Sequence, residues 1–154
     1  MKKSKRRAVS CAAALMTVLL IAAALAGCSP ERYEKLYDDD EWIAKNASSF
    51  VKMGSTESSS KSNEYTLTAG KYYGKETVKQ SLSLTKDSSI NVKLDFESGR
   101  FKLVLVKDGK VYLVTDEKTP GDSPKTFKPE LEAGKYDLKI VGANAWRLKL
   151  AVSW

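Results

Sequence analysis

Across residues 64–154, apolar side chains recur at every second position and turn-forming residues interrupt the pattern at short, even intervals. A period of two places successive side chains on opposite faces of an extended strand, so this region folds as β-sheet and not as helix. Ile90, Val92, Leu94 and Phe96 alternate with Asn91, Lys93, Asp95 and Glu97, which predicts one buried and one wet face. Trp146, Leu148, Leu150, Val152 and Trp154 alternate in the same way with Arg147, Lys149, Ala151 and Ser153, and Tyr136, Leu138 and Ile140 line up on the strand before. Gly142, Ala143 and Asn144 tolerate positive φ and are predicted to join those two strands as a hairpin. The sharpest local signal is Lys107-Asp108-Gly109-Lys110, an Asp-Gly pair between two apolar runs, which asks for a type I′ turn. Both flanks carry apolar residues on both parities, so this hairpin is expected to be central in its sheet. Further turns are signalled at Asp87-Ser88, Ser98-Gly99, Ala133-Gly134 and residues 119–124. The fold class predicted is all-β, an antiparallel, jelly-roll-like β-sandwich of about seven or eight strands. A domain of this length buries only roughly 60 to 65% of its unfolded surface, so large rings weigh heavily in its core, and Trp146 is expected there.

Residues 28–63 read differently. Ser29 can cap a helix with Pro30 at its first position and Glu31 near its positive end. Tyr33, Leu36, Tyr37, Ile43, Ala44, Ala47, Phe50 and Val51 follow a helical stripe that the acidic run at residues 38–41 breaks into two. Residues 31–51 carry three cations and six anions, a balance that anionic lipid would repel. One reading is a partly ordered stalk that docks its stripe on the following domain. The other is a partner-binding helix face built from Trp42, Ile43 and Phe50. Residues 54–63 are rich in Ser, without a large apolar side chain beyond the flanks, and are expected to be a flexible linker.

The chain opens with five cations in seven residues, then an apolar run from residue 8 to residue 26, the pattern of a secretory leader. The run ends at Leu25-Ala26-Gly27-Cys28, which resembles the lipobox of bacterial lipoproteins. That resemblance implies cleavage before Cys28, acylation of its thiol, and a membrane-anchored, extracytoplasmic protein, in the outer membrane if the source has two. The alternative is an uncleaved anchor, because about 19 mostly apolar residues nearly span a bilayer. The position of Cys28 at the end of the run, with polar residues directly after it, favours the lipoprotein. The expected organisation is a signal peptide over 1–27, a lipidated stalk and linker over 28–63, and the sandwich over 64–154.

Loss of the leader removes five of the 26 cations and none of the 19 anions, so the precursor's net charge of +7 falls to +2. Near neutrality leaves nucleic-acid binding without its electrostatic basis, and none is expected. Cys11 goes with the leader and Cys28 is consumed by the anchor, which leaves no thiol for a disulfide or a metal. The chain has no His, which excludes His-based acid–base, nucleophilic and metal chemistry.

The segments Leu67-Thr68-Ala69-Gly70-Lys71-Tyr72 and Leu131-Glu132-Ala133-Gly134-Lys135-Tyr136 echo one another. The second, with the alternating strand after it, resembles the closing hairpin of bacterial pre-peptidase C-terminal domains. That resemblance implies a non-catalytic β-sandwich; where the family often carries paired acids, this chain has Ser98-Gly99-Arg100-Phe101. The acids alternate with apolar residues or sit in turns, as solvated faces do, so no enzyme, cofactor or metal is expected. Asp116, Glu117 and Asp122 are oxygen donors in one loop but match no calcium motif. The candidate ligand-binding residues are Tyr72, Tyr73 and Tyr112, whose strand parity is ambiguous and whose rings suit a glycan or protein surface. The predicted function is a non-catalytic envelope binding module for a glycan or protein. The alternative is an accessory subunit that docks an envelope protein through residues 31–53.

Overall fold

The structure, a computed structural model, describes residues 30–61, 63–115, 125–127 and 131–154. Cys28 and the loop acids Asp116, Glu117 and Asp122 lie outside these residues. Among these residues two short helices, α1 (Pro30–Leu36) and α2 (Asp40–Ala44), precede eight strands. The strands are β1 (Ser49–Met53), β2 (Thr56–Lys61), β3 (Glu64–Leu84), β4 (Ile90–Asp95), β5 (Ser98–Lys107), β6 (Lys110–Thr115), β7 (Lys125–Phe127) and β8 (Gly134–Ser153). All pairings are antiparallel, and the fold is a β-sandwich.

The architecture follows from bends in very long ribbons. β3 and β8, of 21 and 20 residues, pair along their whole lengths. β2 and then β1 run beside β3, and β4 and then β5 run beside β8. One layer therefore holds β2, the start of β3, the end of β8, β4 and β7. The other holds β1, the rest of β3, the start of β8, β5 and β6. The fold line between the layers runs through Gly54, Gly70, Gly99, Asn144 and Arg147, of which all but Gly70 have positive φ. It is held by Gly70 N–H donating to the Gly54 carbonyl and Glu97 N–H to the Trp146 carbonyl.

Residues 142–144 are thus a bend inside β8, not the hairpin expected from the sequence. Asn144, at φ 54°, inserts an extra residue against both neighbouring strands. The inward positions shift accordingly: Tyr136, Leu138 and Ile140, then Ala145, then Leu148, Leu150 and Val152. Left-handed backbone suits a bulge as well as a turn, which is why the local signal misleads. Trp146 falls between the inward positions and is only half-buried, contrary to expectation. By contrast the Asp108-Gly109 hairpin forms as predicted, with positive φ at both residues and Lys107 opposite Lys110. It is not central, however. Among the described residues β6 pairs with β5 alone, and apolar side chains on both parities of β5 have another cause.

That cause is the helices. Val104, Val106, Val141 and Ala143 point outward, away from the sandwich interior, and are covered by Tyr37, in the turn that follows α1, and by Ile43 of α2. Asp39 caps α2 by accepting from the Trp42 N–H at 2.9 Å. Residues 30–53 are therefore built into the domain, and residues 56–61 form β2 where a linker was expected. Strand pairing to β3 satisfies the backbone of this Ser-rich segment without needing large side chains.

Two lysines fix the helical cover from beneath. Lys75 and Lys139 point to the same outer face, are almost fully buried, and donate to carbonyls at the C-terminal end of α2. Cations at that end answer carbonyls that have no partner within the helix. Burial, and then the charges of Lys139 and Lys45, push the Lys75 ammonium down to about 8, and burial lowers Lys139 too.

Candidate binding surface

At the hairpin end of the sandwich, the inward positions of the outer strands reach solvent. The β5–β6 turn places Lys107, Asp108 and Lys110 on one side, and the approach to β8 places Leu131 and Glu132 on the other. Between them is a cavity of about 260 Å³ whose remaining walls are Tyr112 and Tyr136. The two rings meet edge-on, 6.0 Å apart at 77°. Tyr136 is buried and forms the floor, with its hydroxyl donating to the Glu132 carbonyl at 2.8 Å. Lys107 reaches over the Tyr136 ring, 5.3 Å from its centre, and lies 3.9 Å from the Glu132 carboxylate. Tyr112 is half-buried and leaves part of its ring accessible beside the charged rim. An apolar ring surface next to donors and acceptors of both signs can stack on a ligand ring and hydrogen-bond its hydroxyls.

A second, larger depression of about 490 Å³ lies over the fold line, lined by Thr68, Ala69, Gly70, Asp95, Glu97, Arg147 and Lys149. Its most prominent contact is the Arg147–Glu97 ion pair at 2.9 Å. No aromatic side chain lines it. Among the described residues, no three of His, Cys, Asp and Glu converge as a metal-binding group, and no helix is long and apolar enough to cross a membrane.

The tyrosines singled out from the sequence separate. Tyr112 lines the cavity, whereas Tyr72 and Tyr73 are structural. Tyr72 is fully buried in the core, edge-on to Phe101 at 5.8 Å, where Gly142 leaves room for its ring. Tyr73 faces the other way, packs beside Tyr33 and donates from its hydroxyl to Asn144 Oδ1 at 2.9 Å. Adjacent residues of a strand face opposite sides, and here both sides are covered.

The proposed helix face of Trp42, Ile43 and Phe50 does not exist as one surface. Ile43 is completely buried against β5 and β8, Trp42 is half-buried beside Lys75, and Phe50 belongs to β1, where it stacks on Tyr72. The outward-facing valines needed cover, and the stripe provides it within the chain. Tyr136, Lys107, Lys110 and Glu132 escaped the sequence reading. The lysines flank the Asp-Gly turn and were legible as a cationic tip; the approach of residues 131–136 depends on pairing of β5 with β8, which no local signal specifies.

No protein-family model and no curated protein matches the chain. Among solved structures it is similar to a point mutant of a family 29 carbohydrate-binding module, at 17% identity and a TM-score of 0.41, over 72% of this chain and 84% of that one. It is also similar to a mutant of CBM29-2 complexed with mannohexaose, at 13% identity and a TM-score of 0.38, over 70% and 78% of the two chains.

Proposed function

We propose that this chain is a lipid-anchored extracytoplasmic binding module, acylated at Cys28, whose non-catalytic sandwich takes a glycan at the Tyr112 cavity. The observation that carries the reading is the half-exposed Tyr112 ring edge-on to Tyr136 inside a rim of Lys107, Asp108, Lys110 and Glu132. A sugar ring offers an apolar face and a girdle of hydroxyls, and this cavity offers the counterpart of both. Docking of an envelope protein through residues 31–53 has less behind it, because Tyr33, Tyr37 and Ile43 of that segment are buried on the sandwich and only Phe50 and Met53 of β1 stay exposed.

The test is titration of full-length protein in detergent with soluble cell-wall fragments and oligosaccharides, for wild type and Tyr112→Ala. The reading expects saturable binding that weakens at least about tenfold in the variant, a loss of about 1.4 kcal/mol, in protein that still unfolds cooperatively although its Tm falls, since the Tyr112 ring also packs against the core. Absence of binding to every glycan, or binding indifferent to Tyr112, overturns it. Acylation is tested separately by the mass of the N-terminal peptide and by release of Cys28→Ala from membranes.

A further inference from the structure

We infer that Lys52 and Glu57 join covalently in the folded chain: the Lys52 amine closes an amide on the Glu57 side-chain carboxyl, with Glu76 carrying the protons. The inference is independent of the Tyr112 cavity. It starts at the edge of the sandwich, where β1 and β2 follow one another beside β3. Lys52 is directly opposite Tyr72 and Glu57 is directly opposite Leu67, both core residues, so the two side chains point between the layers. β1 belongs to one layer and β2 to the other, and the Gly54 bend connects them.

The groups that meet there are in contact. The Lys52 ammonium touches Glu57 Oε1 and lies 2.7 Å from Glu76 Oε2. The Lys52 side chain is only 7% exposed, and its ammonium sits 4.5 Å from the centre of the Phe50 ring, which stacks on Tyr72. The phenols of Tyr65 and Tyr72 lie on the inner side. Each of these residues is more than nine-tenths buried, and among the described residues neither hydroxyl has a hydrogen-bond partner. Burial, with the nearby Glu76 and Glu57 carboxylates, keeps the proton on the Tyr65 phenol. Ionised groups and unpaired hydroxyls between apolar layers are costly to bury, and an ion pair offsets only part of that cost. An amide removes one charge of each sign. Its carbonyl offers an acceptor to the Tyr65 phenol and its N–H a donor to Glu76.

The step balances without a co-reactant. A bond forms between Lys52 Nζ and Glu57 Cδ while one Cδ–O bond breaks. Two protons pass from Nζ to the departing oxygen through the Glu76 carboxylate, which ends as it began, and one water leaves. Burial raises the pKa of Glu76, which suits a carboxyl group that takes up a proton and passes it on. Nζ already touches an oxygen of the carboxyl it attacks, so the partners are held together before they react. The unpaired Tyr65 hydroxyl is a donor available to the oxygen that becomes negative as the carbon turns tetrahedral. Glu57, 40% exposed, gives the water a way out. The product is a clasp between the edge strands of the two layers, beside the fold line.

The experiment is trypsin digestion and mass spectrometry of the folded full-length protein. The expected result is that cleavage after Lys52 is lost and residues 46–61 appear as one peptide, lighter by one water than their sequence. Lys52→Arg, which keeps the charge, should restore cleavage and full mass. Followed from cell-free synthesis, Glu76→Gln should form the link at least about a hundredfold more slowly, as loss of a positioned proton carrier does. A cooperative melt checks that each variant folds. Peptides 46–52 and 53–61 at full mass from the folded wild type overturn the inference, whatever the variants do. A missing water that maps instead to Asp108-Gly109, where an Asp-Gly pair can close to a succinimide, also overturns it. Linkage at the wild-type rate in Glu76→Gln overturns the role of Glu76.

Discussion

Lys75 and Lys139 donate to the same two carbonyls, those of Ile43 and Lys45, from adjacent strands beneath the end of α2. Two like charges share one cradle, and the carbonyls that hold them are ones the short helix cannot satisfy alone. This arrangement joins the end of α2 to the sheet through six lysine hydrogen bonds, beside the apolar contact of Ile43.

The cradle has a pH signature. Lys75 titrates near 8 in the folded chain, against about 10.5 when unfolded, so between these values the unfolded chain binds more protons. Stability then rises with pH across that window. Burial holds the Tyr65 and Tyr72 phenols well above their ordinary value of about 10, so above pH 10 the unfolded chain loses protons that the folded chain keeps, and stability falls. Denaturant melts at stepped pH should show a maximum near pH 10, and Lys75→Met should flatten its rising limb. Lys139→Ala should cost about 1.5 to 3 kcal/mol, as hydrogen bonds to a charged group do.

Gly74 is where β1 can approach β3. Its φ is +99°, and a Cβ there would lie 2.0 Å from the Ser49 carbonyl oxygen and 2.7 Å from Phe50 Cα, all backbone. Gly74→Ala should cost at least about 3 kcal/mol through strain and lost pairing. Gly109, at φ +76° with nothing within 4 Å of its would-be Cβ, is the control. Gly109→Ala should cost only about 1 to 2 kcal/mol, the left-handed penalty alone. Equal losses in chemical denaturation would refute the steric argument at Gly74.

Trp146 and Leu148 test the parity change in β8. Leu148 is completely buried, so Leu148→Ala should cost about 2 to 5 kcal/mol. Trp146 lies outside the core clusters, and Trp146→Ala should cost about 1 kcal/mol or less, despite removing more atoms. The reverse order of melting temperatures would restore the unbroken alternation read from the sequence.

Asp38 accepts from both terminal nitrogens of Arg100, at 2.9 and 3.2 Å, and this pairing lowers its pKa below 3.8. The stabilisation is present above that value and is lost as pH falls through the lower folded pKa. The carboxylate is two-thirds exposed, so Asp38→Asn should cost below about 1 kcal/mol at neutral pH and less in high salt. A larger cost in a thermal melt would mean that the pair anchors α1.

Period-two patterning settled the strands and most of the core: Ile90, Val92 and Leu94 alternate inward as read, and the Asp108-Gly109 turn forms as its residues require. These features are legible because alternation and positive φ are local properties, decided within a few residues. The left-handed residues Asn144 and Arg147 were not legible as bends, since the same local conformation serves a turn or a bulge, and only pairing with β3 and β5 on either side decides between them. The same limit explains residues 30–61. A helical stripe says that one face must be covered, and a Ser-rich stretch says that it has little apolar area of its own, but neither says by what partner. That was decided by Val104, Val106, Val141 and Ala143 on distant strands, whose exposed apolar face took the helices, and by the open edge of β3, which took β1 and β2. Burial is a property of the assembled sheet, so the tertiary structure alone separated Tyr112, at the cavity, from Tyr72 and Tyr73 in the packing.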